Sequence, residues 1–170
     1  MTRYHLGPFN KGLVVENPSN KLDSYLEAQG MDMIRLSYVP NEDQLIEELQ
    51  KHQAQVLFKR SKVPVTRRVI ESCTSLMAIQ LCCIGDDSID KIACSDHGVM
   101  IFNDPVSNGR SVVELVIGNL ITLSRRLYET NIRCKQGHWD KNNKGRFEVL
   151  GKTLGILGLG NIGRSVARVA

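Results

Sequence analysis

The chain predicts an α/β fold: a doubly wound parallel sheet, then a long helix, then the opening of a second α/β unit. Three observations predict this. Short, mostly apolar runs recur at 13–15, 33–36, 56–58, 76–82 and 99–102, and they do not alternate polar with apolar. That is the pattern of strands buried on both faces. Helical patterns separate these runs, which implies right-handed crossovers and parallel pairing. Near position 153 an apolar run meets a glycine-rich turn and a further helical pattern.

The elements follow in order. Leu13-Val14-Val15 is the first strand, and a helix starts near Asn20. Met33-Ile34-Arg35-Leu36 is the second strand. The helix over 41–50 opens on Asn41 as N-cap, with Gln44 three residues on as its capping-box partner. Val56-Leu57-Phe58 is the third strand, and Pro64 suits the first turn of the next helix. The run 76–82, broken by Gln80, is the fourth strand. A short helix over 89–95 follows, with Asp87 or Ser88 as N-cap and Gly98 past its end. Val99-Met100-Ile101-Phe102 is the fifth strand.

Ser111-Val-Val-Glu114 reads as a capping box for the next helix. Residues 115–123 are apolar on nearly all sides, so this helix is expected to be buried between domains or subunits. It turns polar after Arg125 and is expected to run to about Lys135. Residues 136–149 form a polar loop holding His138 and Trp139; His138 and His97 are both read as solvated loop residues. Residues 153–157 are the last strand.

Composition narrows the function classes. No window approaches 18 uninterrupted apolar residues, so a membrane span is not expected. Met1-Thr-Arg-Tyr-His-Leu-Gly-Pro8 has no apolar stretch, so no secretory signal is read and a cytoplasmic location is expected. The five cysteines, Cys73, Cys82, Cys83, Cys94 and Cys134, follow no zinc-ligand spacing and read as reduced, mostly buried thiols. No metal is expected. The net charge of +4 owes much to late residues such as Arg125, Arg126, Arg133 and Lys135, without the interleaved aromatics of a nucleic-acid surface.

Chemistry in an open parallel sheet belongs beyond the carboxyl ends of the strands. Those loops are Lys59-Arg60-Ser61-Lys62, Cys83-Ile84-Gly85-Asp86-Asp87 and Asn103-Asp-Pro-Val-Ser-Asn108-Gly-Arg110. Arg60 with Ser61 offers a cation and a hydroxyl for a carboxylate or phosphate. From position alone Arg60 is equally a solvated arginine, and Gly85 and Asn108 are equally turn residues. In Gly158-Leu-Gly160-Asn-Ile-Gly163 the first glycine permits a tight turn and the second lets backbone approach a pyrophosphate. The third lets helix and strand pack closely, and the helix-start N–H groups face the phosphates. The acidic residue expected about 20 positions later, which would separate NAD from NADP, falls past Ala170.

Taken together the loops are more specific. Cys83-Ile-Gly-Asp-Asp-Ser-Ile-Asp90, Phe102-Asn-Asp-Pro-Val-Ser-Asn108-Gly-Arg-Ser-Val-Val-Glu114-Leu-Val-Ile-Gly118, Gly137-His-Trp139 and Gly151-Lys-Thr-Leu-Gly-Ile-Leu-Gly158-Leu-Gly-Asn-Ile-Gly163 resemble the D-2-hydroxyacid dehydrogenases. Within that family they are most similar to the bacterial phosphoglycerate-oxidising branch. The resemblance implies a flavodoxin-like substrate domain over 1–107, an interdomain and dimer-forming helix with its loop over 108–150, and the truncated start of a Rossmann NAD-binding domain over 151–170.

It implies substrate contacts from Arg60, Ser61, Ile84, Gly85 and Asn108, the Ile84–Gly85 loop offering backbone N–H groups to a carboxylate. Cofactor contacts are implied for Ile84, Gly158, Gly160, Asn161, Ile162 and Gly163. The family's catalytic arginine, carboxylate and histidine match no residue of this chain, so no catalytic role is assigned and the 170 residues alone are expected to be inactive.

The implied reaction is NAD-dependent oxidation of 3-phospho-D-glycerate to 3-phosphohydroxypyruvate, the entry to serine synthesis. Asp86, Gly109 and Val113 depart from the family's usual residues. The alternatives are a dehydrogenase for an unphosphorylated 2-hydroxy acid, or a truncated module that only binds or dimerises. A homo-oligomer through the Ser111 helix is expected.

Overall fold

The computed structural model describes residues 7–139 and 141–170. Residues 1–6, most of the stretch read above as lacking a secretory signal, lie outside that description. The chain divides into two compact units, Met1–Pro105 and Val106–Ala170.

In the first unit, β1 (Lys11–Val14), β2 (Asp32–Arg35), β3 (Val56–Lys59), β4 (Ala78–Leu81) and β5 (Met100–Phe102) form one sheet, ordered β2-β1-β3-β4-β5. All four pairings are parallel. The crossovers are α1 (Lys21–Glu27), α2 (Glu42–His52), α3 (Arg67–Ser72) and α4 (Lys91–His97). The doubly wound expectation holds.

Strand periodicity sorts the core. Leu13, Val15, Leu57, Ile79 and Leu81 pack with Leu45, Leu49, Val69, Ile70 and Ala93 on the larger face. Val14, Val56, Phe58 and Ala78 pack with Leu22, Leu26 and Met33 on the other. Gly12 leaves room there: a Cβ would lie 2.8 Å from Met33 Sδ and 2.9 Å from Phe58 Cε2.

Several local expectations need correction. Asn41 and Gln44 do form the capping box of α2. Pro64 does not open α3, because Val65 is taken by a bridge to Ile89 and Thr66 caps the helix through the Val69 amide. Asp90, not Asp87 or Ser88, caps α4: its carboxylate accepts from the Ala93 amide. His97 ends that helix rather than lying in a loop, 3.6 Å from Glu71. Only Cys73 and Cys94 of the five free thiols are buried; Cys82 and Cys83 are half-buried and Cys134 is exposed.

The second unit holds α5 (Gly109–Arg125), α6 (Leu127–Lys135) and α7 (Asn161–Val169). Ser111 does not cap α5; the helix begins two residues earlier, and Glu114 pairs with Arg110 at 2.7 Å. The helix does not run unbroken to Lys135, because Arg126 adopts a left-handed conformation at φ 52° between α5 and α6. Within the chain, Val113 and Ser124 are the buried residues of α5, while Leu115 and Leu123 are 64% and 76% exposed. Residues 153–157 join no sheet. A strand exists by pairing, and no described residue supplies this segment with a ladder partner.

Candidate functional site

The sheet order reverses between β1 and β3. A doubly wound sheet opens a crevice at its carboxyl edge at that switch point. Here Glu16, Val39, Arg60, Ser61 and Lys62 line a cavity of about 270 Å³. The loops after β3 and β4 are tied side by side. The Val65 amide donates to Ser88 O at 2.8 Å, and the Asp90 amide donates to Val65 O at 2.9 Å.

Charge at this edge is divided among cations in different states. Arg35 is taken: its guanidinium donates to both oxygens of Asp23 at 2.6 and 2.7 Å and to Pro18 O at 3.0 Å. The hydrogen bond to Asp23 raises its pKa above the ordinary value. Lys59 is fully buried, pointing to the same face as Leu57, and burial lowers its pKa, partly offset by the nearby Glu16 carboxylate. Its Nζ donates to Arg60 O at 2.6 Å and to Ser88 Oγ at 2.7 Å. Arg60 and Ser61 are exposed, and the Arg60 guanidinium makes no hydrogen bond or ion pair among the described residues. A planar cation in that state is available for a bidentate anion.

The next loop adds donors. Among the described residues no acceptor meets the Ile84 or Gly85 amide. The loop itself is held: Asn103 Nδ2 donates to Ile84 O at 2.9 Å, and Cys83 Sγ donates to Gly85 O at 3.3 Å. Two unused N–H groups on a fixed turn suit a carboxylate. Asp86 pairs with Lys91 at 3.1 Å, so its negative charge is partly offset. Burial raises the Cys82 thiol above its ordinary pKa, with Cys83 a second cause, which argues against a thiolate nucleophile there. No group of metal-ligating side chains occurs among the described residues.

The sequence reading missed Glu16 and the inward course of Lys59. Period-two spacing from Leu57 was the available signal for Lys59. Glu16 carried none beyond its place after the first strand. It lies in the left-handed region at φ 62°, with Asn17 at φ 50°, and its carboxylate accepts from the Lys62 amide at 3.0 Å and from the Val63 amide.

The second unit contains the remaining candidates. Asn108 immediately precedes α5 and is exposed, and its side chain makes no cap. Gly158 turns at φ 93°, a conformation that favours glycine. Gly163 packs so closely that a Cβ would lie 2.1 Å from Gly158 O. Gly160, the N-cap of α7, has no side chain to cover the first amides. Asn161 accepts from Arg164 at 3.2 Å through Oδ1 and lines a cavity of about 230 Å³ with Gly109, Arg110 and Ser165. A helix start whose N-cap carries no Cβ suits an anion such as a phosphate.

Known proteins match this architecture. Residues 13–163 match the catalytic domain of D-isomer specific 2-hydroxyacid dehydrogenases. D-3-phosphoglycerate dehydrogenases of Escherichia coli (strain K12) and Dictyostelium discoideum are each 38% identical over 160 residues, covering 94% of this chain and 39% of their own length. This chain therefore spans about two fifths of these relatives. An NAD-dependent formate dehydrogenase from Staphylococcus aureus, solved with NAD, is 27% identical with a TM-score of 0.73, covering 94% of this chain and 52% of its own. D-lactate dehydrogenase from Escherichia coli, 22% identical with a TM-score of 0.76 over the same shares, shares the fold. With a match across both units, from β1 to the glycine turn, the chain belongs to the D-isomer specific 2-hydroxyacid dehydrogenase family.

Proposed function

We propose that this chain supplies the substrate loops and the first cofactor turn of an NAD-dependent dehydrogenase that oxidises 3-phospho-D-glycerate to 3-phosphohydroxypyruvate, the entry to serine synthesis. The observation that carries the reading is the donor set on adjacent loops of the first unit: the unpaired Arg60 guanidinium, the Ser61 hydroxyl and the unused Ile84 and Gly85 amides. Such a set binds an anion without a metal. The phosphoglycerate dehydrogenases at 36–38% identity support the choice of acid.

NAD, when bound, accepts the hydride. Gly158, Gly160, Asn161, Ile162 and Gly163 would hold its pyrophosphate, and Ile84 would be a further cofactor contact. Arg60, Ser61, Ile84, Gly85 and Asn108 orient the acid. No residue of the chain matches the family's acid/base set, so the 170 residues alone bind without turning over. The exposed α5 face, with Leu115 and Leu123, is the contact for a second copy. No helix among the described residues is long and apolar enough to cross a membrane.

Asp86 favours a second reading. A carboxylate one residue after Gly85 repels an anionic phosphate, so an unphosphorylated 2-hydroxy acid is the rival substrate. Calorimetric titration of the chain with 3-phospho-D-glycerate and with D-lactate tests both. The reading expects tighter binding of the phosphorylated acid, and Arg60→Ala should weaken it about tenfold or more. Equal binding by Arg60→Ala, or preference for lactate, overturns it. NADH formation by the chain alone would refute the expected inactivity.

A further inference from the structure

The Arg60–Ser61 tip is held from below on both sides. On the side before it, buried Lys59 donates from one Nζ to Arg60 O at 2.6 Å and to Ser88 Oγ at 2.7 Å. On the side after it, the Glu16 carboxylate accepts from the Lys62 amide at 3.0 Å and from the Val63 amide. Glu16 is itself almost fully buried, with its backbone in the left-handed region. These groups come from the carboxyl ends of β1 and β3 and from the loop after β4.

We infer that Lys59 and Glu16 are positioning residues: a two-ended clamp that fixes the Arg60–Ser61 tip and, through Ser88, sets it against the Gly85 loop. The inference rests on the reading of Arg60, Ser61, Ile84 and Gly85 as the acid's contacts. A buried ammonium is costly to desolvate, and a simple core would place an apolar residue at position 59. Both of its hydrogen bonds go to loops that carry substrate groups, and neither supports a helix or a strand. A carboxylate taking two consecutive backbone amides likewise fixes the chain path at one point. Preorganised donors lose less on binding than donors that must first be ordered.

The test uses the 170-residue chain and four variants: Lys59→Met, Glu16→Gln, Ser88→Ala and Ser88→Thr. Amide hydrogen exchange reads the clamp without any ligand. Ser88→Ala and Glu16→Gln should speed exchange at Lys62 and Val63 by about fivefold or more, while Leu57 and Ile79 keep their rates. Ser88→Thr retains the hydroxyl and should restore the original rates. Lys59→Met should match Ser88→Ala; if it does not fold, the other variants decide.

Titration with 3-phospho-D-glycerate is the second arm. Ser88→Ala and Glu16→Gln should weaken binding about three- to tenfold, the worth of a hydrogen bond. Unchanged exchange at 62 and 63, or equal acceleration across the sheet, overturns the clamp. So does unaltered binding in these variants when Arg60→Ala weakens it. If Arg60→Ala binds as the parent chain does, the substrate reading fails instead, and exchange alone decides the clamp.

Discussion

Replacing Gly163 with alanine tests whether the glycine turn is built for close packing or merely tolerates glycine. Gly163 is the third residue of α7, where alanine ordinarily gains about 1 kcal/mol of helix propensity over glycine. Here the added Cβ would lie 2.1 Å from the Gly158 carbonyl oxygen and 3.2 Å from its carbonyl carbon, with Ile156 Cγ2 at 3.4 Å. A relaxed carbon–oxygen contact is about 3.3 Å, so the turn must open by roughly 1 Å. The two nearest obstructing atoms are backbone, which no rotamer change relieves.

Overpacking of this kind costs about 1–3 kcal/mol and outweighs the propensity gain. Gly118 provides the control. It sits inside α5 with open space where a Cβ would go, so Gly118→Ala should stabilise the helix by about 0.5–1 kcal/mol. Thermal unfolding by circular dichroism, with amide exchange across α7, reads both. One substitution type should thus act in opposite directions at two helical glycines. A Gly163→Ala chain that melts no lower, keeps α7 protection and binds NAD as before would refute the packing argument.

Two other perturbations follow from local chemistry. Asn41→Ala removes the side chain that accepts from the Gln44 amide at 2.9 Å, and should cost about 1 kcal/mol in thermal or urea unfolding, whereas Asn41→Ser should recover most of it. Lys59 should leave a mark on the pH dependence of stability: its folded pKa is lowered by burial from 10.5. Between that lowered value and 10.5 the unfolded chain binds more protons, so stability rises with pH across this window; below the folded pKa the penalty is fully present. Lys59→Met removes the titrating group, so urea midpoints taken in alkaline steps should show the parent chain gaining on the variant. Parallel pH profiles would show that Lys59 titrates alike in both states.

The core and the chemistry depend on the chain in different ways. Apolar runs such as 13–15 and 56–58 suit strands buried on both faces, and the helical patterns between them imply parallel pairing. The doubly wound parallel sheet was therefore legible, as was the capping box at Asn41, which needs nothing beyond three residues of spacing. The glycine turn was legible too, because Gly158 and Gly163 meet backbone demands made within six residues.

Features that depend on distant partners were not legible. Pro64 met every local condition for a helix start, yet the Val65 bridge to Ile89 took that stretch. Ser111 and Glu114 had capping-box spacing, but the helix begins two residues earlier and Arg110 claims the glutamate. Residues 153–157 had strand composition, but composition cannot supply the neighbour that makes a strand. In the sequence Lys59 only opens the loop after the third strand. It became a buried donor because β3 turns it to the face of Leu57 and brings Ser88 from 29 residues away within 2.7 Å. Propensity and spacing act over a few residues along the chain, whereas burial and hydrogen-bond partnership act through space and form only once the strands are side by side.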